Sequence, residues 1–136
     1  MQSGYLSKDD TGAEYRAEAE NWELAPGWEW PGVLGYTGVG PDGTGVAYYE
    51  RGTGRVDATY YWYCSWGRAA LHASTARDEA VAIDKLLNLT ETPYYLLGLV
   101  FEEDRLYVDR IVEGLATGDL TRLAIDVEAN CPPHPR

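Results

Sequence analysis

The chain has few of the residues that most often carry catalytic chemistry. Its 136 residues include two cysteines, two histidines, one methionine and one phenylalanine. Nucleophilic catalysis needs a base beside the nucleophile, and one of the two histidines lies in the C-terminal tail. The Gly-x-Gly-x-x-Gly pattern at 38–43 has neither a strong strand before it nor a helix after it, as a dinucleotide site requires. We therefore predict no resident cofactor and assign no catalytic residue.

Basic residues are also scarce. Eleven lysines and arginines stand against 22 aspartates and glutamates, which gives a formal net charge of −11. So acidic a surface repels phosphate backbones and anionic headgroups, and we expect neither nucleic-acid binding nor direct binding to an anionic lipid surface. Long apolar runs are missing too, because the longest spans 94–101 and a transmembrane helix needs about 20 apolar residues.

The distribution of glycine, proline and apolar residues divides the chain into parts of one predicted domain, 1–136. Residues 1–12 are predicted as a flexible lead-in, followed by a short helix over about 13–24. Residues 25–55 are rich in turn-forming residues and are predicted as a loop-rich arm with at most a short strand or hairpin. Residues 56–131 are predicted as the helical core. The predicted fold is a mostly α-helical, small bundle with a long Gly/Pro/aromatic-rich N-terminal arm.

Capping patterns predict where helices begin within the core. The first helix is expected to begin near Asp57 and to run through the aromatic segment that follows. Thr75, with Asp78 three residues later, has the pattern of a capping box. Thr92 and Pro93 resemble an N-cap and the first residue of another helical turn. The buried stripe of the helix after Thr75 is predicted to consist of Ala76, Ala80, Ile83 and Leu87.

Residues 99–112 fit either a hairpin that turns at Glu103–Asp104 or a helix. The helix is favoured because its apolar face is complete and Gly118 follows as a stop. A last helix is predicted after Asp119, with an apolar face that extends to Cys131. The apolar face of the preceding helix is predicted to contain Val108, Ile111, Val112 and Leu115.

Five aromatic residues lie within the seven residues 60–66, YYWYCSW. A helix that is apolar all round is normally buried at the centre of a fold. Stacking of nucleic-acid bases on such rings needs basic residues nearby, and only Arg68 lies close in the sequence. The segment is therefore predicted to be core.

The two cysteines are predicted to meet in this core. Cys64 lies in the aromatic segment, and Cys131 lies on the apolar face of the last helix. A bridge closing so long a loop stabilises a fold by about 4 kcal/mol on the chain-entropy model, and cytosolic proteins seldom keep one. We predict a Cys64–Cys131 disulfide in an extracytoplasmic domain. Two buried free thiols remain an alternative; a zinc site with His72 and His134 is less favoured, and no metal is predicted.

The segment 21–32, NWELAPGWEWPG, is the most distinctive candidate surface. Tryptophans alternate there with glutamates, and rings beside carboxylates suit a sugar face or a bound cation. Tryptophan is also enriched at the centres of protein interfaces. The alternative is that the indoles cover an end of the helical bundle. The candidate binding residues are Trp22, Trp28, Glu29, Trp30 and Tyr36.

Carboxylates offer the remaining route to catalysis. A hydrolase acting on cell-wall polymers would use Glu23, Glu29 or Glu103. The acids near the C-terminus instead alternate with arginines, and the pairs Arg105–Asp109 and Arg122–Asp126 have the i,i+4 spacing of a solvated helix face.

The segment YYWYCSW, the short helical array after it and the terminal ANCP resemble a family of small two-cysteine extracytoplasmic domains of high-GC Gram-positive (actinobacterial) bacteria. The resemblance covers about 56–133, and nine arginines against two lysines fit a high-GC source. The family has no known activity. The resemblance implies paired cysteines and a location in the cell envelope.

These observations predict a non-catalytic extracytoplasmic binding or interaction domain, the soluble part of a secreted or membrane-anchored envelope protein. Its expected partner is a protein or a cell-wall component at the envelope. One alternative is a carboxylate-dependent hydrolase acting on cell-wall polymers. Another is a structural subunit of an envelope membrane complex.

Overall fold

The computed structural model describes residues 4–32, 35–40 and 42–135. A 3-10 turn (Leu89–Glu91) and a π-helical turn (Tyr94–Gly98) connect the third and fourth helices. The predicted mostly helical class is confirmed, together with one very short sheet. In chain order the strands and α-helices of the described residues are β1 (Tyr5–Leu6), α1 (Lys8–Ala19), β2 (Tyr49–Glu50), α2 (Thr53–His72), α3 (Ala76–Leu86), α4 (Glu102–Ala116) and α5 (Thr121–Asn130).

The central element is α2, which α1, α3, α5 and the π-helical turn all contact. Residues 62–66 are at most 5% exposed, which confirms that the aromatic segment is core. The helix begins at Thr53, four residues before the predicted start. Its first amides are capped from another helix: the Glu14 carboxylate accepts hydrogen bonds from Gly52 N and Gly54 N at 2.9–3.0 Å. A cap supplied from 38 to 40 residues away leaves no local signal in the sequence.

The first helix begins at Lys8, so the prediction of a flexible lead-in over 1–12 is corrected for residues 5–12. Ser7 Oγ accepts a hydrogen bond from Asp10 N at 3.2 Å, an N-cap that the prediction overlooked. The helix ends at Ala19, earlier than predicted. Just before it, β1 pairs antiparallel with β2, which ties this end of the chain to the arm. Residues 1–3 lie outside the described part of the chain.

The loop-rich arm, 25–55, contains β2 and an isolated bridge between Val39 and Val46. This agrees with the prediction of at most a short strand. Residues 33–34 and 41 of the arm lie outside the described part of the chain.

The cap of α3 is confirmed, because Thr75 Oγ1 accepts a hydrogen bond from Asp78 N at 3.0 Å. The predicted buried stripe is wrong: Ala82 and Leu86 are fully buried, while Leu87 is 38% exposed. Apolar residues occupy two neighbouring faces of this helix. Packing against α2 and α4 selects the face that runs through Ala82 and Leu86.

The helix alternative for 99–112 is confirmed by α4, whose buried residues are Val108, Ile111 and Leu115. At the start of α5 the N-cap residue is Leu120, one position after the predicted Asp119, and it makes no side-chain cap bond. Asp119 Oδ1 still accepts a hydrogen bond from Thr121 N at 3.0 Å. Within the described ranges, no helix combines the length and apolarity needed to cross a bilayer.

Candidate binding surfaces

The predicted tryptophan surface is largely folded onto the bundle. Trp28 is 8% exposed and packs edge-on against Tyr61, with ring centroids 5.6 Å apart. Trp30 is half-buried against Tyr15 and Tyr61. The loop is anchored by Tyr61 Oη, which donates to the Glu29 carbonyl at 2.9 Å, while the Glu29 side chain stays exposed. Trp28 therefore covers the core, as the alternative held, and its indole is not part of the accessible surface.

Tyr36 belongs to the loop-rich arm and lines a shallow cleft between the arm and α1. Its hydroxyl donates to Asp57 Oδ2 at 2.6 Å, and its ring packs edge-on against Tyr49. Burial, together with the hydrogen bond to the Asp57 carboxylate, raises the pKa of Tyr36 well above its usual range. The hydroxyl therefore stays protonated and holds the arm against α2.

The two cysteines form the predicted disulfide, Cys64–Cys131, with Cα atoms 5.4 Å apart. No free thiol remains, so neither the free-thiol nor the zinc alternative applies. The segment after α5 is held by Arg68, whose guanidinium donates to the carbonyls of Cys131 and Pro132 at 3.1 and 2.9 Å. In the part of the chain that the structure describes, no group of three metal-ligating side chains is positioned to hold a metal ion.

Trp22 lies apart from this packed loop, in an open groove of about 490 Å³ between the C-terminal ends of α1 and α3. Its indole N–H donates to Glu18 Oε2 at 2.8 Å, and its ring lies tilted on the buried Trp62 with centroids 4.9 Å apart. We call this feature the Trp22 groove. Its lining residues are Asn21, Trp22, Glu23, Trp62, Lys85, Asn88 and Glu91.

Polar side chains of both signs surround the indole in the Trp22 groove. Lys85 Nζ lies 3.8 Å from Glu23 Oε1 and 5.6 Å from the centroid of the Trp66 ring. Asn88 and Glu91 follow Lys85 along the chain and are exposed where α3 runs into the 3-10 turn. The groove therefore offers a fixed aromatic ring together with amide, carboxylate and ammonium groups.

A second candidate surface consists of residues in the π-helical turn and directly after it. Four large apolar side chains are 46–74% exposed within six residues, and we call them the apolar corner: Leu96, Leu97, Val100 and Phe101. Arg105 holds the backbone here, since its guanidinium donates to the carbonyls of Leu99 and Leu96 at 2.6 and 3.2 Å. The exposed acids Glu102, Glu103 and Asp104 follow directly in the first turn of α4.

The prediction that Asp126 lies on a solvated helix face is wrong. Asp126 was expected on a solvated face with Arg122, but it is only 7% exposed. It accepts hydrogen bonds from the hydroxyls of Tyr63 and Tyr107 and from Asn130 Nδ2, at 2.6, 3.2 and 3.0 Å. Burial and the Asp126 carboxylate raise the pKa of Tyr63 far above its usual range. These bonds join α2, α4 and α5, so Asp126 is a structural residue.

Sequence reasoning missed the far wall of the Trp22 groove, because Lys85, Asn88 and Glu91 lie more than 60 residues from Trp22. The signal for the apolar corner is present in the sequence as its longest apolar run, 94–101, which predicts a helical turn and is too short to span a membrane. Comparisons of the chain with protein-family models, with curated proteins and with solved structures each found no match.

Proposed function

We propose that the protein is a non-catalytic extracytoplasmic binding domain that contacts a protein partner through the apolar corner. The observation that carries this proposal is the exposure of Val100 and Phe101, at 74% and 62%, beside the exposed Leu96 and Leu97. Single exposed apolar residues are ordinary, whereas contiguous exposed apolar side chains are typical of interaction sites.

The backbone of the apolar corner is held in place before any partner binds. Arg105 bonds two of its carbonyls and lies over the Tyr95 ring, and Tyr95 Oη donates to Asp109 Oδ1 at 2.7 Å. A surface already held in one conformation loses less entropy on binding. The ordered backbone supports a binding role for the apolar corner and argues against a frayed apolar loop.

The extracytoplasmic location is supported by the disulfide, because such bridges persist mainly in oxidising compartments. The resemblance to two-cysteine envelope domains points the same way. The partner is accordingly sought among proteins of the cell envelope.

The hydrolase alternative ranks lower. Its candidate carboxylates, Glu23, Glu29 and Glu103, are all exposed; the first two belong to the loop after α1, and Glu103 lies on α4. Glycoside hydrolysis instead pairs two carboxyl groups across one bond and raises the pKa of one of them by desolvation. The structural-subunit alternative would use the same apolar corner, with a membrane assembly as the partner.

The test is site-specific photo-crosslinking in envelope preparations of the source organism. A photoreactive phenylalanine analogue replaces Phe101 in one variant and Ile125 in the control, since these side chains are 62% and 64% exposed. We expect one discrete adduct from position 101 and none from position 125. Adding Val100→Ser should remove the adduct without lowering the melting temperature. Equal adducts from both positions, or an adduct that survives Val100→Ser, would overturn the proposal.

A further inference from the structure

We infer that the Trp22 groove is a saccharide-binding site for an uncharged sugar unit such as an N-acetylhexosamine. The site is separate from the apolar corner, and the inference does not rest on the proposed protein contact. It rests on the ring of Trp22, the polar groups on both walls of the groove and the charge of the surface.

The indole supplies a fixed apolar platform. The hydrogen bond from Trp22 Nε1 to Glu18 sets the orientation of the ring, and the buried Trp62 supports it from below. A pyranose presents one face of C–H groups that packs on such a ring, and the fixed ring loses little freedom when the sugar binds. The partly exposed ring of Trp22 is thus suited to a sugar face.

The walls supply the polar contacts that sugar hydroxyls need. Each hydroxyl both donates and accepts hydrogen bonds, and the amides of Asn21 and Asn88 also do both. The Glu91 carboxylate accepts from hydroxyl and acetamido N–H groups. Asn88 Nδ2 lies 3.5 Å from the Asp84 carbonyl, a long and therefore weak hydrogen bond. A sugar hydroxyl can replace this bond at little cost.

Charge selects among sugars. The groove contains two carboxylates, Glu23 and Glu91, against one ammonium, and Lys85 already faces Glu23 at 3.8 Å. The whole chain adds a net charge of −11. Uronic acids and phosphorylated sugars are therefore repelled. A volume of about 490 Å³ lies within the range of ligand sites, roughly 300–1,000 Å³.

The test is a titration of the full chain with tri-N-acetylchitotriose, followed by NMR of the five indole N–H groups. The Trp22 signal, identified with Trp22→Phe, is expected to shift saturably. Asn88→Ala should raise the dissociation constant about three- to tenfold, as loss of one net hydrogen bond predicts. Glu91→Gln exchanges a charged acceptor for a neutral one and should raise it by a smaller factor, about twofold to threefold. Both side chains are exposed, so the variants should keep the fold. Glu103→Gln on α4 is the matched control and should bind like the unaltered chain.

Selectivity is tested with trigalacturonate, an anionic trisaccharide, and with choline, a cation that binds aromatic rings. We expect neither to shift the Trp22 signal at concentrations where chitotriose saturates it. The inference is overturned if chitotriose gives no saturable shift, if Asn88→Ala and Glu91→Gln bind it normally, or if trigalacturonate or choline shifts Trp22 equally. Phe101→Ser should leave chitotriose binding unchanged, which separates this site from the apolar corner.

Discussion

Glu18 joins the first two long helices through one carboxylate. It accepts a hydrogen bond from Arg55 Nε at 2.6 Å through Oε1 and one from Trp22 Nε1 at 2.8 Å through Oε2. Burial alone would raise the pKa of Glu18, but the bonds from Arg55 and Trp22 outweigh it, and the pKa lies below its ordinary value of 4.5. The ionised form is therefore the one that stabilises the fold.

Glu18→Gln should lower the free energy of unfolding at neutral pH by about 1 kcal/mol, discounted because the Arg55 side chain is 48% exposed. A carboxylate whose pKa is depressed in the folded state stabilises above its unfolded pKa, and that contribution is lost as the pH falls through its folded pKa. The unfolding free energies of the two proteins, measured in urea, should therefore converge below about pH 4.

Glu20→Gln is the matched control, because Glu20 is exposed at the end of the same helix. It should leave both the stability and its pH dependence unchanged. A difference between Glu18→Gln and the unaltered protein that stays constant into strong acid would contradict the role assigned to Glu18.

At the scale of single residues, contacts between residues a few positions apart could be predicted from the sequence. The cap at Thr75 involves an amide three residues away and is present. Asp119 bonds the amide two residues on, although the N-cap residue of α5 is Leu120. Trp22 and Trp28 belong to one loop, yet one lies in a groove and the other in the core. Contacts with Trp62 and Tyr61, more than 30 residues away, decide the difference, so local composition could not separate them.

At the scale of elements, α1 and α2 cross with their backbones nearly touching. A Cβ atom at Gly54 would lie 2.6 Å from both the Thr11 carbonyl oxygen and the Tyr15 nitrogen. Real Cβ atoms do not approach backbone so closely. Only glycine allows this crossing, which brings Glu14 within reach of the amides at the start of α2.

Gly54→Ala should therefore lower the free energy of unfolding by about 1–3 kcal/mol or more, because the two helices must move apart. Thermal unfolding followed by circular dichroism measures the loss. Gly32→Ala is the matched control, since within the described part of the chain no non-neighbouring residue has an atom within 4 Å of a Cβ built at that exposed position. An unchanged melting temperature for Gly54→Ala would show that the helices do not cross this closely.

The existence of the helices could be predicted from apolar periodicity. Their first and last residues and their buried faces depend on contacts with other parts of the chain. α1 and α2 both start earlier than predicted, because Ser7 and Glu14 cap them. The buried face of α3 is set by where α2 and α4 pack against it. Periodicity within a single helix does not contain that information.

At the scale of the whole molecule, the disulfide connects the middle of α2 to the residue after α5, a separation of 67 residues. The loop so closed contains all of α3, α4 and α5. This pairing could be anticipated because each cysteine lay on a predicted buried face. The proposed compartment depends on it.

Alkylation under denaturing conditions without reductant should leave both cysteines unmodified, with an intact mass two hydrogens below that of the dithiol. The double variant Cys64→Ala/Cys131→Ala should lose about 4 kcal/mol of unfolding free energy, since its unfolded chain is less restricted. Alanine is chosen because Cys64 is fully buried. Free alkylation of both thiols would contradict the bridge and remove the main support for an oxidising compartment.

The same closed loop determines how the chain transmits force. When the protein is pulled through residues on either side of the loop, tension passes from Cys64 directly to Cys131 and bypasses the residues between them. About 220–240 Å of contour length, 67 residues at the extended spacing, is therefore unavailable to stretching until the bridge is reduced. The apolar corner lies between the two cysteines. Tension that unfolds the arm therefore does not stretch the segment that contains the corner while the disulfide is intact.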